Sequence, residues 1–137
     1  MDKPMYNNDF AKLLLRFAIG GLLLLHGIDK VSHGTTFIEQ VLGDKGWPEA
    51  IAYGVYLGEI LAPLLILVGF MSRVGALLVA GTMVMTMVLV HSSDWYTLNQ
   101  YGGLTTELNM LYLFGALTIL FGGGGRYAIG RGEGRWS

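Results

Sequence analysis

The chain contains no cysteine. That excludes disulfides, thiolate nucleophiles and cysteine-ligated zinc or iron–sulfur centres together. Charge is scarce as well: only 14% of residues are Asp, Glu, Lys or Arg, against roughly 25% in soluble domains. With 53% hydrophobic residues and a mean hydropathy of +0.51, the sequence lacks the polar side chains needed to coat a water-soluble surface. A formal net charge of −1 excludes the broad basic face of a nucleic-acid binder. No serine–histidine–acid spacing, EF-hand loop or HExxH pattern is present, so the common hydrolytic, calcium and zinc-protease signatures are missing too. At 137 residues the chain has room for one domain.

What is abundant is long apolar sequence. A membrane-spanning helix needs about 20 largely apolar residues, and the sequence predicts four such spans, at residues 11–31, 50–71, 74–91 and 105–122. The expected fold is therefore all-α, a four-helix transmembrane bundle in one membrane domain covering 1–137. The first apolar run contains Arg16 and has no small-residue cleavage site before Asp29, so it reads as a retained helix and not as a signal peptide. Spans two and three are separated only by Ser72 and Arg73, which predicts a tight antiparallel hairpin. The loop at 32–49 repeats Phe37, Ile38, Val41 and Leu42 at helical spacing, suggesting a short helix on the outer membrane face.

Basic residues set the orientation. Lys3, Lys12, Arg73, Arg126, Arg131 and Arg135 fall on one side of the predicted spans, and only Lys30 and Lys45 on the other. N-terminus, hairpin and C-terminus are thereby expected in the cytoplasm, as in a multi-pass protein of the inner (cytoplasmic) membrane. Trp47, Tyr53, Trp95, Tyr96 and Tyr101 gather near the outer boundary, where an aromatic belt belongs. The tail at 123–137, rich in glycine and arginine, reads as a solvated and mobile anchor. Its glycines follow a span and open no helix, which weakens a phosphate-cradle reading.

In so apolar a chain the polar residues inside the spans carry most of the information. An ionisable group at mid-bilayer costs about 3 kcal/mol on insertion scales, so it has a partner or a task. Glu59 lies about 12 Å into span two by the helical rise. The small residues Gly54, Gly58 and Ala62 beside it admit a close neighbour. Pro63 removes the N–H that the Glu59 carbonyl would otherwise receive. A hydrogen-bonded glutamate that only ties helices together is the plain alternative to a functional one. His26, His91 and Glu107 fall at the outer ends of spans one, three and four. With Glu59 they occupy the outer half of the bundle, where they could serve a proton relay, a quinone-head pocket or a metal site. For either histidine the simpler reading is an interfacial side chain. Arg16, about one and a half turns inside the inner boundary, is expected to snorkel to the headgroups. Met83, Met87 and His91 share a face of span three and would suit copper(I), though a methionine stripe in an apolar helix is more often packing; a haem clamped by His26 and His91 is a minor reading, and no metal is assigned.

Taken in order, these segments resemble the DoxX family of small four-helix membrane proteins, over about residues 13–129. The first span, LLLRFAIGGLLLLHGIDKV, is similar to the family opening through Arg16, His26, Gly27 and Lys30. YLGEILAPLLILVGFMSR is similar to the segment with an embedded glutamate and a glycine before a basic turn, through Glu59, Gly69 and Arg73. Glu107 stands where the family usually carries a glutamate. GGGGRYAIG is similar to its glycine–proline–glycine–arginine–tyrosine ending through Gly123, Gly125, Arg126 and Tyr127, with Gly124 in place of the proline. The resemblance implies quinone-linked redox work at the membrane, as in the membrane subunit of a thiosulfate:quinone oxidoreductase, and a protein partner or homo-oligomer.

On that basis the leading expectation is a redox-complex subunit that binds a quinone in the outer half of the bundle. Glu59, His91 and His26 would exchange protons, Glu107 would tune the pocket, and Arg16 would complete the binding set. A non-enzymatic scaffold for a soluble partner is the alternative, with the Gly54–Gly58–Ala62 stripe joining helices or protomers. A metal or small-molecule transporter is disfavoured, because four short spans show no inverted repeat.

Overall fold

A computed structural model describes residues 8–34, 36–48, 53–89, 97–98, 100–129 and 134–137. Among these the chain is helical, and its only β pairing is an isolated bridge between Leu98 and Leu104. Helix α1 runs through Asn8–Arg16, a π-helical turn at Phe17–Gly21, and Leu22–His33. Helix α2 is Thr36–Asp44. Helix α3 joins Gly54–Tyr56, a second π-helical turn at Leu57–Leu61, and Ala62–Val68. Helix α4 is Ser72–Leu89 and α5 is Glu107–Gly122. One stretch, Asn8–Asp29 in α1, is long and apolar enough to cross a membrane, while Leu57–Val68, Ser72–Val88 and Glu107–Gly122 are shorter apolar helices.

Helices α1, α3, α4 and α5 share one apolar core. Ile19 and Leu23 enter it from α1, Ala62 and Ile66 from α3, Val79 and Met83 from α4, and Ala116 and Ile119 from α5. Small residues set how closely the helices approach. A Cβ placed on Gly58 would collide with the Thr82 side chain of α4, and one on Gly75 would lie 2.9 Å from the Ala62 carbonyl oxygen. On the α1 side, a Cβ on Gly20 would lie 3.0 Å from the Pro63 carbonyl oxygen. The stripe read from the sequence thus works inside the protomer at Gly58 and Ala62. A Cβ on Gly54 would meet nothing within 4 Å among the described residues.

The α3–α4 turn comes earlier than hydropathy suggests. Gly69 adopts φ +74°, a left-handed conformation that ends helices readily only at glycine. The Gly69 and Phe70 N–H groups both donate to the Leu65 carbonyl, at 2.9 and 3.1 Å, as in a Schellman-type stop. Residues 69–71 therefore make the turn, and Ser72 and Arg73 belong to the first turn of α4. Phe70 and Met71 are apolar, so a hydropathy window runs through the break without registering it.

The described tail residues are exposed at 126, 127, 129 and 134–136, as a solvated tail would be, but the segment is also packed at defined points. Gly123, Gly124 and Gly125 are buried. The Ile129 N–H donates to the Val68 carbonyl at 3.0 Å, and the Arg73 N–H donates to the Trp136 carbonyl at 3.0 Å. The Arg126 N–H donates to the Asp9 carboxylate at 3.1 Å. After α5 the described tail residues fold back over the end of the molecule where α1 begins and α3 stops.

Candidate functional site

Both buried charges of the core helices sit at π-helical turns. A π turn accommodates an extra residue and widens the helix locally, a feature that recurs at functional positions. Glu59 lies within the turn of α3, where the Ala62 N–H reaches back to the Leu57 carbonyl. Pro63 follows four residues after Glu59 and has no N–H to give. Facing this stretch is Gly27 of α1, where any Cβ would strike the Glu59 carbonyl. Glycine at that position lets α1 press against the backbone beside the carboxylate, and Glu59 is left only 9% exposed.

Tyr112 of α5 completes this setting. It is buried in the core and lies within electrostatic reach of Glu59. Its ring meets His26 of α1 edge to face, with centroids 6.2 Å apart and planes at 88°, a favourable aromatic geometry. His26 itself is exposed. The three residues form a graded series, from an accessible imidazole through a buried phenol to a buried carboxylate. Three helices contribute to it. The sequence alone does not single out Tyr112, because a tyrosine on an apolar helix reads as one more packing or interfacial aromatic.

The other candidates stand apart. Glu107 is the first residue of α5, exposed, with its carboxylate against Gly103; there it complements the positive end of the helix dipole. His91 lies outside the described residues, so its relation to Glu59 is left as the sequence states it. Met83 is a core residue. Among the described residues no group of three or more His, Cys, Asp or Glu side chains is placed to hold a metal ion.

Arg16 behaves differently from the snorkelling expectation. It lies immediately before the π turn of α1 and is 1% exposed. Its Nε donates to the Ile66 carbonyl at 2.8 Å and one terminal nitrogen donates to Leu67 at 2.8 Å. The other donates to Tyr127 at 2.6 Å and to Gly124 at 3.3 Å. Those contacts explain the burial. The final carbonyls of α3 have no helical donors; Arg16 satisfies Ile66 and Leu67, and the Ile129 N–H satisfies Val68. A cation at that end also opposes the negative pole of the helix dipole. Reaching headgroup water would forfeit all of this, so the side chain turns inward.

Along α1, Arg16 and His26 are about 15 Å apart by the helical rise, so the clamp and the outer series occupy different levels of the fold. A comparison with curated proteins and with solved structures gives no match. A family model does match: that of DoxX, over residues 11–92. The match covers more than half of the chain and takes in Arg16, His26, Gly27 and Glu59 together, and the chain belongs to the DoxX family of membrane proteins.

Proposed function

We propose that the chain crosses the membrane four times, with both termini cytoplasmic, as the membrane subunit of a quinone-linked redox complex. The quinone headgroup is held in the outer half of the bundle. The observation that carries this reading is the grouping of His26, Tyr112 and Glu59, in which the ring of buried Tyr112 packs edge to face on exposed His26 and Glu59 is the buried carboxylate of the same core. Among the described residues three other apolar helices are shorter than a full span, but they share one core with α1, which supports their lying in the same bilayer. A short hydrophobic helix accommodates by local thinning or by packing against its neighbours.

The donor set fits a quinone. Its two carbonyl oxygens need hydrogen-bond donors, which the Tyr112 hydroxyl and a His26 ring nitrogen provide. When bound, the quinone supplies two-electron, two-proton redox chemistry. Glu59 would hold the proton inside the bundle, and the Tyr112 hydroxyl would donate a hydrogen bond to a headgroup oxygen. His26 would exchange the proton with the outer surface, which its exposure permits. His91 remains in the proposed proton-exchange set. Glu107, at the mouth of α5, adjusts the local field. Leu22 and Leu25 beside His26, and Leu108 and Leu111 beside Tyr112, expose apolar side chains suited to an isoprenoid tail. The chain has no cysteine, so electrons reach the site from a partner protein or substrate. Arg16 is assigned to the architecture, because its donors are committed to backbone carbonyls.

The scaffold reading keeps one supporting observation, the packed tail, which offers a defined surface to a soluble partner. The test separates the two. Protein purified in mild detergent is extracted and its quinone quantified by mass spectrometry, for the parent and for Glu59→Gln, Tyr112→Phe and His26→Ala. Near-stoichiometric quinone that falls at least tenfold in the folded variants supports the redox reading. Quinone-free parent protein that also fails to bind added quinone, or binding indifferent to all three substitutions, sinks it in favour of the scaffold.

A further inference from the structure

The glycine run before Arg126 has no part in the outer series, yet its setting is unusual. It opens no helix of its own; its backbone is laid against the first turn of another, α4. A Cβ on Gly124 would lie 2.5 Å from the Ser72 Oγ and 3.7 Å from the Arg16 Cδ. One on Gly123 would lie 2.9 Å from the Ser137 backbone oxygen and 3.2 Å from a terminal nitrogen of Arg73. Bare backbone is thereby brought to the start of an 18-residue helix, whose first N–H groups form the positive pole of its dipole.

Two independent observations point to an oxygen-rich anion. Ser72 is 0% exposed, and its Oγ has no hydrogen-bond partner among the described residues. A hydroxyl buried at a helix start without an acceptor is a rarity that invites one. In addition, the same turn already holds two oxygens from a distant segment. The Arg73 N–H donates to the Trp136 carbonyl at 3.0 Å, and the Arg73 Nε donates to the Ser137 oxygen at 3.1 Å. Trp136 itself is 48% exposed, so its side chain is not locked in the core. The donors these oxygens occupy, a guanidinium and a helix-start N–H, are those a phosphate favours.

We propose that Ser72, Arg73 and Gly123–Gly125 form a phosphate-group site at the start of α4, for which the Trp136–Ser137 segment acts as a built-in competitor. A phosphate monoester or free phosphate engages the Arg73 guanidinium and accepts the Ser72 hydroxyl, and Trp136 leaves. The same chemistry is offered by an anionic lipid headgroup and by free phosphate. This proposal stands independently of the quinone reading, since no residue is shared.

Trp136 is its own reporter. In the full chain with Trp47→Phe and Trp95→Phe, its fluorescence is titrated in detergent with inorganic phosphate, chloride at equal ionic strength serving as control. A second series uses phosphatidylcholine nanodiscs with increasing phosphatidic acid. A saturable red shift with either probe supports the site: response to phosphatidic acid alone identifies a headgroup, and response to inorganic phosphate identifies a soluble ligand. Arg73→Gln abolishes the shift and Ser72→Ala weakens the apparent affinity about tenfold. No saturable shift with either probe in folded protein overturns the proposal, as does a shift that Arg73→Gln leaves intact. Should Arg73→Gln fail to fold, Ser72→Ala decides alone, and unchanged affinity there refutes it.

Discussion

Replacing Arg16 by methionine tests the inward-facing arginine directly. Methionine keeps much of the length and the apolar stem but removes every donor. Three short hydrogen bonds vanish, to Tyr127, Ile66 and Leu67 at 2.6, 2.8 and 2.8 Å, with a longer one to Gly124 at 3.3 Å. Each bond from a charged donor contributes about 1.5–3 kcal/mol, so their simple sum is large. It is offset by the relief of no longer burying a cation. The stranded carbonyls at the α3 end are close to the turn and recover part of their loss by rearrangement. The balance is a destabilisation of about 3–5 kcal/mol, because several buried carbonyls each lose a donor at about 1–3 kcal/mol and recover only part of it. Arg16→Lys should fall between, because an ammonium has three donors but no planar fork to spread over carbonyls from two segments. The assay is reversible unfolding in mixed micelles by denaturing detergent, paired with limited trypsin digestion after Arg126 and Arg135. Loss of the clamp should free the tail and speed cleavage on the order of a hundredfold, which corresponds to about 2.7 kcal/mol of local opening. Arg126→Ala is the control for unfolding, since that side chain is 80% exposed and lies 3.9 Å from Asp9; it should change stability by less than about 1 kcal/mol. If Arg16→Met unfolds within about 1 kcal/mol of the parent and its tail is cleaved no faster, the clamp is not a stabilising feature.

Gly58→Leu should prevent α3 from seating on α4, because even a Cβ meets Thr82; a monodisperse, equally stable variant by size-exclusion and thermal melting would contradict that packing. Gly54→Ala faces open space and should be neutral or stabilising by up to about 1 kcal/mol from helix propensity alone, measured in the same melts. Gly69→Ala should cost about 1–2 kcal/mol through its left-handed backbone and more through its contact with Ala128, and a neutral melting temperature would argue against the stop described at the α3 end. Tyr112→Phe should melt close to the parent while its quinone content drops, whereas matched losses of stability and quinone would mark the hydroxyl as merely structural.

Different kinds of information carried different parts of this molecule. Apolar runs betray helices because hydropathy is local, and a lone Glu59 inside such a run is conspicuous for the same reason. Its companion Tyr112 is hidden: it is chemically unremarkable in its own segment, and only the packing of α5 on α1 brings it to His26. The Arg16 contacts are harder still, since Tyr127 is 111 residues away in sequence and the acceptors are backbone carbonyls, which every residue has. The α3–α4 break escaped hydropathy because Phe70 and Met71 are as apolar as the helix they follow; the relevant signal was one glycine whose backbone angle a composition window does not see. The packing of the tail was missed because glycine-rich segments are usually mobile in isolation, and here its glycines are what allow backbone to lie flat on Ser72.

The way α3 is finished has a consequence for biogenesis. Ile66 and Leu67 wait for Arg16, which is synthesised before them, but Arg16 also needs Gly124 and Tyr127, and Val68 needs Ile129. Residues 124–129 leave the ribosome after the five described helices have been made. A nascent chain stalled before residue 124 would therefore hold the α3–α4 hairpin with an unfinished end and a half-satisfied arginine. A protease that reads exposed polar groups would therefore distinguish such a truncated product from one that carries residues 124–129, which close the α3 end like a latch.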